Sequence, residues 1–74
     1  MNPLATRVLV DDSSLTVILQ DGRELQVPLA RFPRLARASV AQRQCVRISK
    51  SGRALHWDEL DEDIDVDELL RGRD

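Results

Sequence analysis

The residues best suited to chemistry are carboxylates, which crowd the C-terminal third of the chain. Eight of the eleven residues from 58 to 68 are acidic. Paired carboxylates can act as general acid and base where their surroundings separate their pKa values. Here the acids are so closely spaced that no two stand out, and nothing in the pattern indicates a pocket. The run therefore predicts a charged surface and no catalytic pair.

A calcium-binding loop is the second kind of site that this acidic run could form. Asp61, Asp63 and Asp65 fall at positions 1, 3 and 5 of an EF-hand loop. Position 6 should be glycine and is Val66, and position 12 should be a bidentate glutamate and is Gly72. The loop fails at its two most diagnostic positions, which leaves only weak, unspecific binding of divalent cations. We expect no metal site.

One cysteine and one histidine are the remaining reactive side chains. Cys45 and His56 could in principle form a nucleophile and its base. However, Cys45 has the pattern of a small apolar residue at a strand start, and His56 that of a strand position beside Trp57. A lone cysteine excludes an internal disulfide, and one of each is too few for a structural zinc site. We expect neither an enzyme nor a cofactor.

The charges are sorted along the chain, although the net charge is only −2. Residues 1–30 have two cations and four acids, for −2; residues 31–53 have seven cations and no acid, for +7; residues 54–74 have nine acids and two cations, for −7. Two interpretations remain open. The basic and acidic segments face each other and neutralise, or at least one of them binds a partner.

The basic segment suggests contact with nucleic acid, because cations can neutralise phosphates. Arg31, Arg34 and Arg37 are spaced three apart, close to one helical face. Against this, the chain is acidic overall, with a pI near 5.3, and no helix-turn-helix pattern or set of stacking aromatics is present. Direct binding of nucleic acid is not expected. The alternative kept open is a DNA-associated regulatory or accessory domain that uses residues 31–53.

The acidic segment is the preferred recognition surface. Complementary charge steers association with a basic partner, but apolar anchors are needed for affinity. Leu60, Ile64, Leu69 and Leu70 are candidate anchors. The predicted partner-binding residues are Asp58, Glu59, Asp61, Glu62, Asp63 and Asp65, together with Arg31, Arg34 and Arg37.

The elements that position these residues begin with three strands, predicted near residues 7–10, 15–20 and 23–27. Leu15, Val17 and Leu19 alternate on one face of the second strand. Asp21-Gly22 between two β-rich runs predicts a hairpin with a type I′ turn. Pro28 ends the third strand because it lacks the N–H that a ladder requires.

The second half is predicted as two short helical pieces, two strands and a last helix. Pro33 fits a first helical turn, and Ser39 with Gln42 forms a capping box. Strands are predicted at residues 45–49 and 53–57, while residues 58–65 have no clear period. Asp65 caps the last helix, with Glu68 at the capping-box position and Gly72 as its end. The order βββ-α-ββ-α predicts an α+β fold, with short helices on one face of a small, mainly antiparallel sheet.

The length of 74 residues predicts one domain, residues 1–74, with a marginal core. No disulfide or metal reinforces it, so we expect a protein partner or self-association into a homo-oligomer to add stability. No apolar run approaches the length of a membrane span, and the N-terminus lacks the features of a signal peptide. A cytoplasmic location without membrane contact is expected.

Several blocks resemble the prokaryotic family catalogued as domain of unknown function 2442. They are residues 19–23 (LQDGR), 27–29 (VPL), 32–35 (FPRL), Ala38-Ser39, Gln42-Arg43, Gly52, His56-Trp57, 60–64 (LDEDI) and Leu69-Leu70. The similarity runs from about Val8 to Gly72. One departure is Val46, near which the family usually carries a tryptophan, and this loss should thin the core there.

The resemblance implies a small α+β fold like the N-terminal domain of a two-domain protein from a nitrifying bacterium. Longer members of the family attach a helix-turn-helix domain. Short members are often encoded beside a second small protein, in pairs that look like toxin–antitoxin modules. It implies no biochemical activity. We therefore expect a bacterial, non-catalytic, antitoxin-like module that binds a small protein encoded by a neighbouring gene.

Overall fold

The computed structural model describes residues 3–71 and shows two three-stranded antiparallel sheets with short helices. The strands are β1 Ala5–Val10, β2 Ser14–Leu19, β3 Glu24–Pro28, β4 Arg47–Ile48, β5 Ala54–Trp57 and β6 Glu62–Asp65. A 3₁₀ turn, Leu29–Arg31, precedes the helices α1 Pro33–Arg37, α2 Val40–Gln44 and α3 Val66–Arg71. The predicted α+β class is confirmed. The single sheet is corrected to two, and β6 is added to the predicted strands.

The first sheet has the order β1-β2-β3 and carries much of the core. Val17 in the central strand pairs with Val8 on one side and Leu25 on the other. The predicted inward face of β2 is confirmed, because Leu15, Val17 and Leu19 are all buried. Pro28 is the last residue of β3, as predicted.

The turn between β2 and β3 is a hairpin turn, but it is not of type I′. The N–H of Leu19 donates to the carbonyl of Arg23 at 2.8 Å, and the N–H of Gly22 donates back to that of Leu19 at 3.0 Å. Gly22 has φ 92°, whereas Asp21 is not among the positive-φ residues. A three-residue loop needs positive φ only at its last position, which explains the difference.

The second sheet has the order β4-β5-β6 and aligns polar, ionisable residues across its strands. Arg47 of β4 pairs with His56 of β5, which pairs with Asp63 of β6. On the other face, Leu55 pairs with Ile64, and both are buried. Gly52 lies in the turn between β4 and β5, and its carbonyl accepts a hydrogen bond from the N–H of Ala5 at 2.8 Å. This bond links the start of β1 in the first sheet to the second sheet.

The helix boundaries follow the predicted capping signals. Pro33 occupies the first turn of α1, and the capping box of Ser39 and Gln42 starts α2. The Asp65 carboxylate accepts the N–H of Asp67 at 2.8 Å and caps α3. Gly72, predicted to end this helix, lies outside the described residues.

One apolar cluster joins the sheets and helices. Its fully buried members include Trp57, Leu15, Leu35, Leu55 and Val66. Trp57 is 1% exposed, and the half-buried Phe32 packs against the cluster. Within residues 3–71, every helix is too short and too polar to cross a bilayer.

Cys45 departs from its predicted setting. It is exposed, at the C-cap of α2 and two residues before β4 begins, and it is not part of a strand. The strand is shorter than predicted at its start because Cys45, with φ −85° and ψ 44°, does not have an extended backbone. Cys45 is therefore a surface residue and no part of the core.

Candidate protein-interaction surface

The acidic surface, defined as residues 58–68, is held by a short hairpin whose ends are fixed in the core. Its loop, residues 58–61, joins the cross-strand pair Trp57 and Glu62. Trp57 is buried, and Leu60 packs against the same apolar cluster. With these two side chains turned inward, Asp58, Glu59 and Asp61 are exposed. The core anchors thus turn the loop carboxylates toward solvent.

Strand β6 continues the acidic surface by alternation. Ile64 is buried, whereas its neighbours Asp63 and Asp65 are exposed, and Glu62 at the strand start is half-buried. Successive side chains of a strand point to opposite faces, so one apolar residue is enough to orient both aspartates. The α3 residues Asp67 and Glu68 follow directly and extend the surface by one helical turn.

Asp58 is paired with a cation of the basic segment. Arg47 Nη2 donates to Asp58 Oδ1 at 2.9 Å, and Arg47 Nε donates to Oδ2 at 3.2 Å. These side-chain hydrogen bonds, reinforced by the opposite charges, lower the pKa of Asp58 and raise the pKa of Arg47. The pair has the two-pronged geometry that favours arginine and carboxylate.

Two further carboxylates have basic partners. Asp63 is hydrogen-bonded to His56 Nδ1 across the β5–β6 pair. Asp67 Oδ2 lies 3.7 Å from Arg53 Nη1, which is a looser ion pair. The basic and acidic segments therefore do meet, through Arg47 with Asp58 and through Arg53 with Asp67, as one of the two interpretations of the sequence expected.

Most of the acidic surface is not neutralised in this way. Within residues 3–71, five of its carboxylates form no ion pair: those of Glu59, Asp61, Glu62, Asp65 and Glu68. One of them, Asp65, has an oxygen occupied by the α3 cap. The excess negative charge of the segment thus remains on the outside of the described fold.

The basic segment, by contrast, is largely engaged with its own chain. Arg43 is the clearest example, because its side chain is only 13% exposed and its Nε donates to the carbonyl of Leu35 at 2.9 Å. Arg34 donates through Nη1 to the main-chain carbonyl of Asp61. Arg47 and Arg53 pair with carboxylates as described. These four arginines of residues 31–53 are therefore held by contacts with their own chain.

A pocket of about 250 Å³ opens where the two predicted residue sets meet. It contains Arg31 of the basic set and Asp63 and Asp65 of the acidic set. Its other lining residues are Phe32, Ile64, Glu68 and Leu69. The sequence placed Glu68 in the acidic run and at the capping-box position, but not among the predicted partner-binding residues. Its place three positions after Asp65, one helical turn on, is the signal that could have placed it beside the pocket.

The candidate pair of Cys45 and His56 and the candidate calcium loop are not formed within the described residues. His56 Nδ1 is directed at Asp63, and no hydrogen bond joins it to Cys45 in the described part of the chain. Asp61, Asp63 and Asp65 are divided between a loop and a strand. Residues 3–71 contain no cluster of histidine, cysteine and acidic side chains with the geometry to hold a metal ion.

Residues 5–74 match the model of the family described as "Protein of unknown function (DUF2442)". The chain belongs to the DUF2442 family. The match covers both sheets, all three helices and the whole acidic surface.

Two solved structures have the same fold as this DUF2442 chain. A crystal structure of a protein of unknown function from Rhodospirillum rubrum is 30% identical with a TM-score of 0.86, over 97% of this chain and 89% of that one. A solution NMR structure of an uncharacterized protein from Chromobacterium violaceum is 26% identical with a TM-score of 0.79, over 95% of this chain and 66% of that one. No curated protein matches the chain.

Two of the sequence blocks that resemble DUF2442 meet in space beside the acidic surface. Arg34, from the block at 32–35, bonds the main chain of Asp61, from the block at 60–64. Phe32 and Ile64, from the same two blocks, line the pocket together. Val46, where the sequence departs from the family, is half-buried and packs against the core.

Proposed function

We propose that this DUF2442 chain is a non-catalytic, cytoplasmic protein-binding module of the antitoxin type. In this proposal, its acidic surface covers a basic surface of a small partner protein. The observation that carries the proposal is the set of five carboxylates left without an ion pair within residues 3–71. An acidic surface of this kind accelerates association with a basic partner and sets its orientation.

The contacts of the basic segment support this proposal over DNA binding. Four arginines of residues 31–53 hold the chain's own carbonyls or carboxylates. A phosphate backbone would have to compete with these contacts and to approach the acidic surface. The alternative, a DNA-associated regulatory or accessory domain, would need cations such as Arg37 and Lys50 to act beside that negative potential.

Apolar contact is more limited than the sequence suggests. Ile64 and Leu69 are buried in the apolar cluster, with 5% and 7% exposure. Leu60 and Leu70 are half-buried and keep part of their surface accessible. Binding should therefore depend strongly on charge, with a small apolar contribution from these two leucines.

The test is co-purification of the chain with the product of the neighbouring gene. Glu59→Lys combined with Asp61→Asn changes two exposed side chains of the loop, and asparagine suits the positive φ of 53° at position 61. The control is Glu24→Lys, which replaces an exposed acid on the first sheet and changes the net charge almost as much as the loop variant does. We expect the double variant and raised salt to weaken the complex, and the control to leave it intact.

Two results would count against this function. The first is failure of the unmodified chain to retain the neighbouring gene product at low salt. The second is equal weakening by Glu24→Lys and by the loop variant, which would reveal an unspecific effect of net charge. A shift of duplex DNA by the chain alone at low salt would favour the DNA-associated alternative.

A further inference from the structure

The pocket beside the acidic surface combines an apolar floor with a mostly acidic rim. Ile64 and Leu69 are buried core residues and Phe32 is half-buried; all three contribute to the lining. The charged residues around them are three acids, Asp63, Asp65 and Glu68, and one base, Arg31. Three carboxylates against one guanidinium give the lining a net charge of −2.

The rim carboxylates differ in how far they are already engaged. Asp63 is bonded to His56, and one oxygen of Asp65 accepts the N–H groups of Asp67 and Glu68 at 2.8 and 3.4 Å. The carboxylate of Glu68 is exposed and has no ion-pair partner within the described chain. Glu68 is therefore the rim residue best placed to meet an incoming cation.

We propose that this pocket receives one arginine side chain of the basic partner, an inference that rests on the proposed function and names the contact it uses. The volume of about 250 Å³ is large enough for one long side chain. The aliphatic stem would lie on Ile64 and Leu69, and the guanidinium would meet Phe32 and the carboxylate of Glu68. Arginine is among the side chains that most often dominate the energy of an interface.

Charge complementarity selects this occupant over the others. An acidic or phosphorylated side chain would face the net −2 lining. An aliphatic side chain would fill the floor but would leave the rim carboxylates partly desolvated without a partner, which is costly. An arginine satisfies both parts of the pocket with one side chain, and its planar guanidinium suits a carboxylate.

The test uses Nα-acetyl-L-arginine methylamide as the probe and isotope-labelled full-length chain in NMR titrations. The neutral isostere, Nα-acetyl-L-citrulline methylamide, is the matched control ligand. We expect the arginine probe to shift the signals of Phe32, Ile64 and Leu69 saturably, and the citrulline probe to bind several-fold more weakly. Glu68→Gln should weaken the arginine probe about threefold, within the usual range for an exposed ion pair.

The control variant is Glu59→Gln, which removes the same charge from the loop, outside the pocket lining. Equal weakening by Glu59→Gln and Glu68→Gln would overturn the proposal, because it would mean that the probe senses only diffuse charge. Equal binding of both probes, or shifts centred away from the pocket, would do the same. Pocket signals that move on dilution without a probe would assign the pocket to a second copy of the chain instead.

This titration needs no partner, so its outcome is separate from that of the co-purification. If the chain binds the arginine probe but does not co-purify with the neighbouring gene product, the pocket proposal stands and the proposed function is wrong. If the chain binds the partner with an affinity that depends on the loop but does not bind the probe, the proposed function stands and the pocket proposal is wrong.

Discussion

The indole Nε1 of Trp57 donates a hydrogen bond to the main-chain carbonyl of Arg43, 3.0 Å away. This bond ties the central strand of the second sheet to helix α2. The Arg43 side chain continues the link, because its Nε bonds the carbonyl of Leu35 near the end of α1. Arg43, a cation of the basic segment at residues 31–53, therefore connects α1 and α2 to the second sheet.

Replacing this tryptophan should reveal the value of the link. Trp57→Phe keeps an aromatic ring but removes the donor and leaves a small cavity. We expect the free energy of unfolding to fall by about 1–3 kcal/mol, from the lost bond and the lost packing. Urea unfolding monitored by circular dichroism measures this change. Tryptophan fluorescence cannot be used, because Trp57 is the only tryptophan and the variant lacks it.

A matched control for this substitution is Val40→Ala. Val40 is 59% exposed, so its truncation should change stability by no more than about 0.5 kcal/mol. If Trp57→Phe were as mild as this control, the bond to Arg43 would contribute nothing to stability.

Gly52 and Gly22 provide a second comparison, because both have positive φ but differ in their surroundings. A Cβ at Gly52 would stand 2.9 Å from Leu4 Cβ and 3.3 Å from the Ala5 carbonyl oxygen, whereas one at Gly22 would meet nothing within 4 Å. Both alanine variants should lose about 1–2 kcal/mol from backbone strain. Gly52→Ala should lose about 1 kcal/mol or more beyond that, because its neighbours must move.

Thermal unfolding of the two variants side by side checks this. The Gly52 carbonyl also accepts the N–H of Ala5, so a shift there disturbs a contact between the first sheet and the β4–β5 turn. Equal destabilisation by the two substitutions would mean that Leu4 and Ala5 yield without cost.

The fold was largely predictable where local signals were strong. Three features were predicted from signals that each span only a few residues: the alternation of Leu15, Val17 and Leu19, the hairpin at Asp21-Gly22, and the capping box at Ser39. Strand β6 was missed because acids are depleted in strands, and Ile64 is the only apolar residue among its four. Its formation depends on pairing with β5, which is tertiary information.

The candidate surface was predictable as a charge pattern but not as a set of contacts. Which acids are paired depends on register: His56 meets Asp63 only because β6 pairs with β5 in this alignment. The pocket likewise joins Phe32 to Leu69, residues far apart in the chain. The nine predicted binding residues remain predictions until the partner is tested.

The Asp11 carboxylate gives a prediction about pH. Its Oδ1 accepts the N–H groups of Ser13 at 2.8 Å and Ser14 at 2.7 Å in the turn after β1. These backbone hydrogen bonds, that of Ser13 first, lower the pKa of Asp11 from 3.8. The fold therefore favours the ionised form, and this stabilisation is present above pH 3.8 and lost as the pH falls through the lowered value.

Asp11→Ala should thus be less stable than the unmodified chain at neutral pH, and the difference should shrink below pH 3.8. Asp11→Asn keeps an oxygen acceptor for both N–H groups but cannot ionise. The part of the pH dependence of the unfolding free energy that residue 11 causes should therefore vanish. Urea unfolding at a series of pH values measures both effects. A gap between Asp11→Ala and the unmodified chain that widens in acid would contradict this account.

Asp58 and Glu59 are neighbours on the acidic surface that should affect partner binding in different ways. Asp58 is held by Arg47 in a two-pronged pair, whereas Glu59 has no ion-pair partner within residues 3–71. Asp58→Asn and Glu59→Gln each remove one negative charge. Because long-range steering depends on total charge, both should slow association with the partner by a similar, small factor.

Dissociation should separate the two variants. The oxygens of Asp58 are occupied by Arg47, so a partner gains little from them, while Glu59 is available for a direct contact. We expect Glu59→Gln to speed dissociation about two- to five-fold, the range of an exposed ion pair, and Asp58→Asn to change it little. Surface plasmon resonance with the co-purified partner measures both rates. Faster dissociation of Asp58→Asn than of Glu59→Gln would show that the partner displaces Arg47, and that the pairing within the chain does not decide which carboxylates it uses.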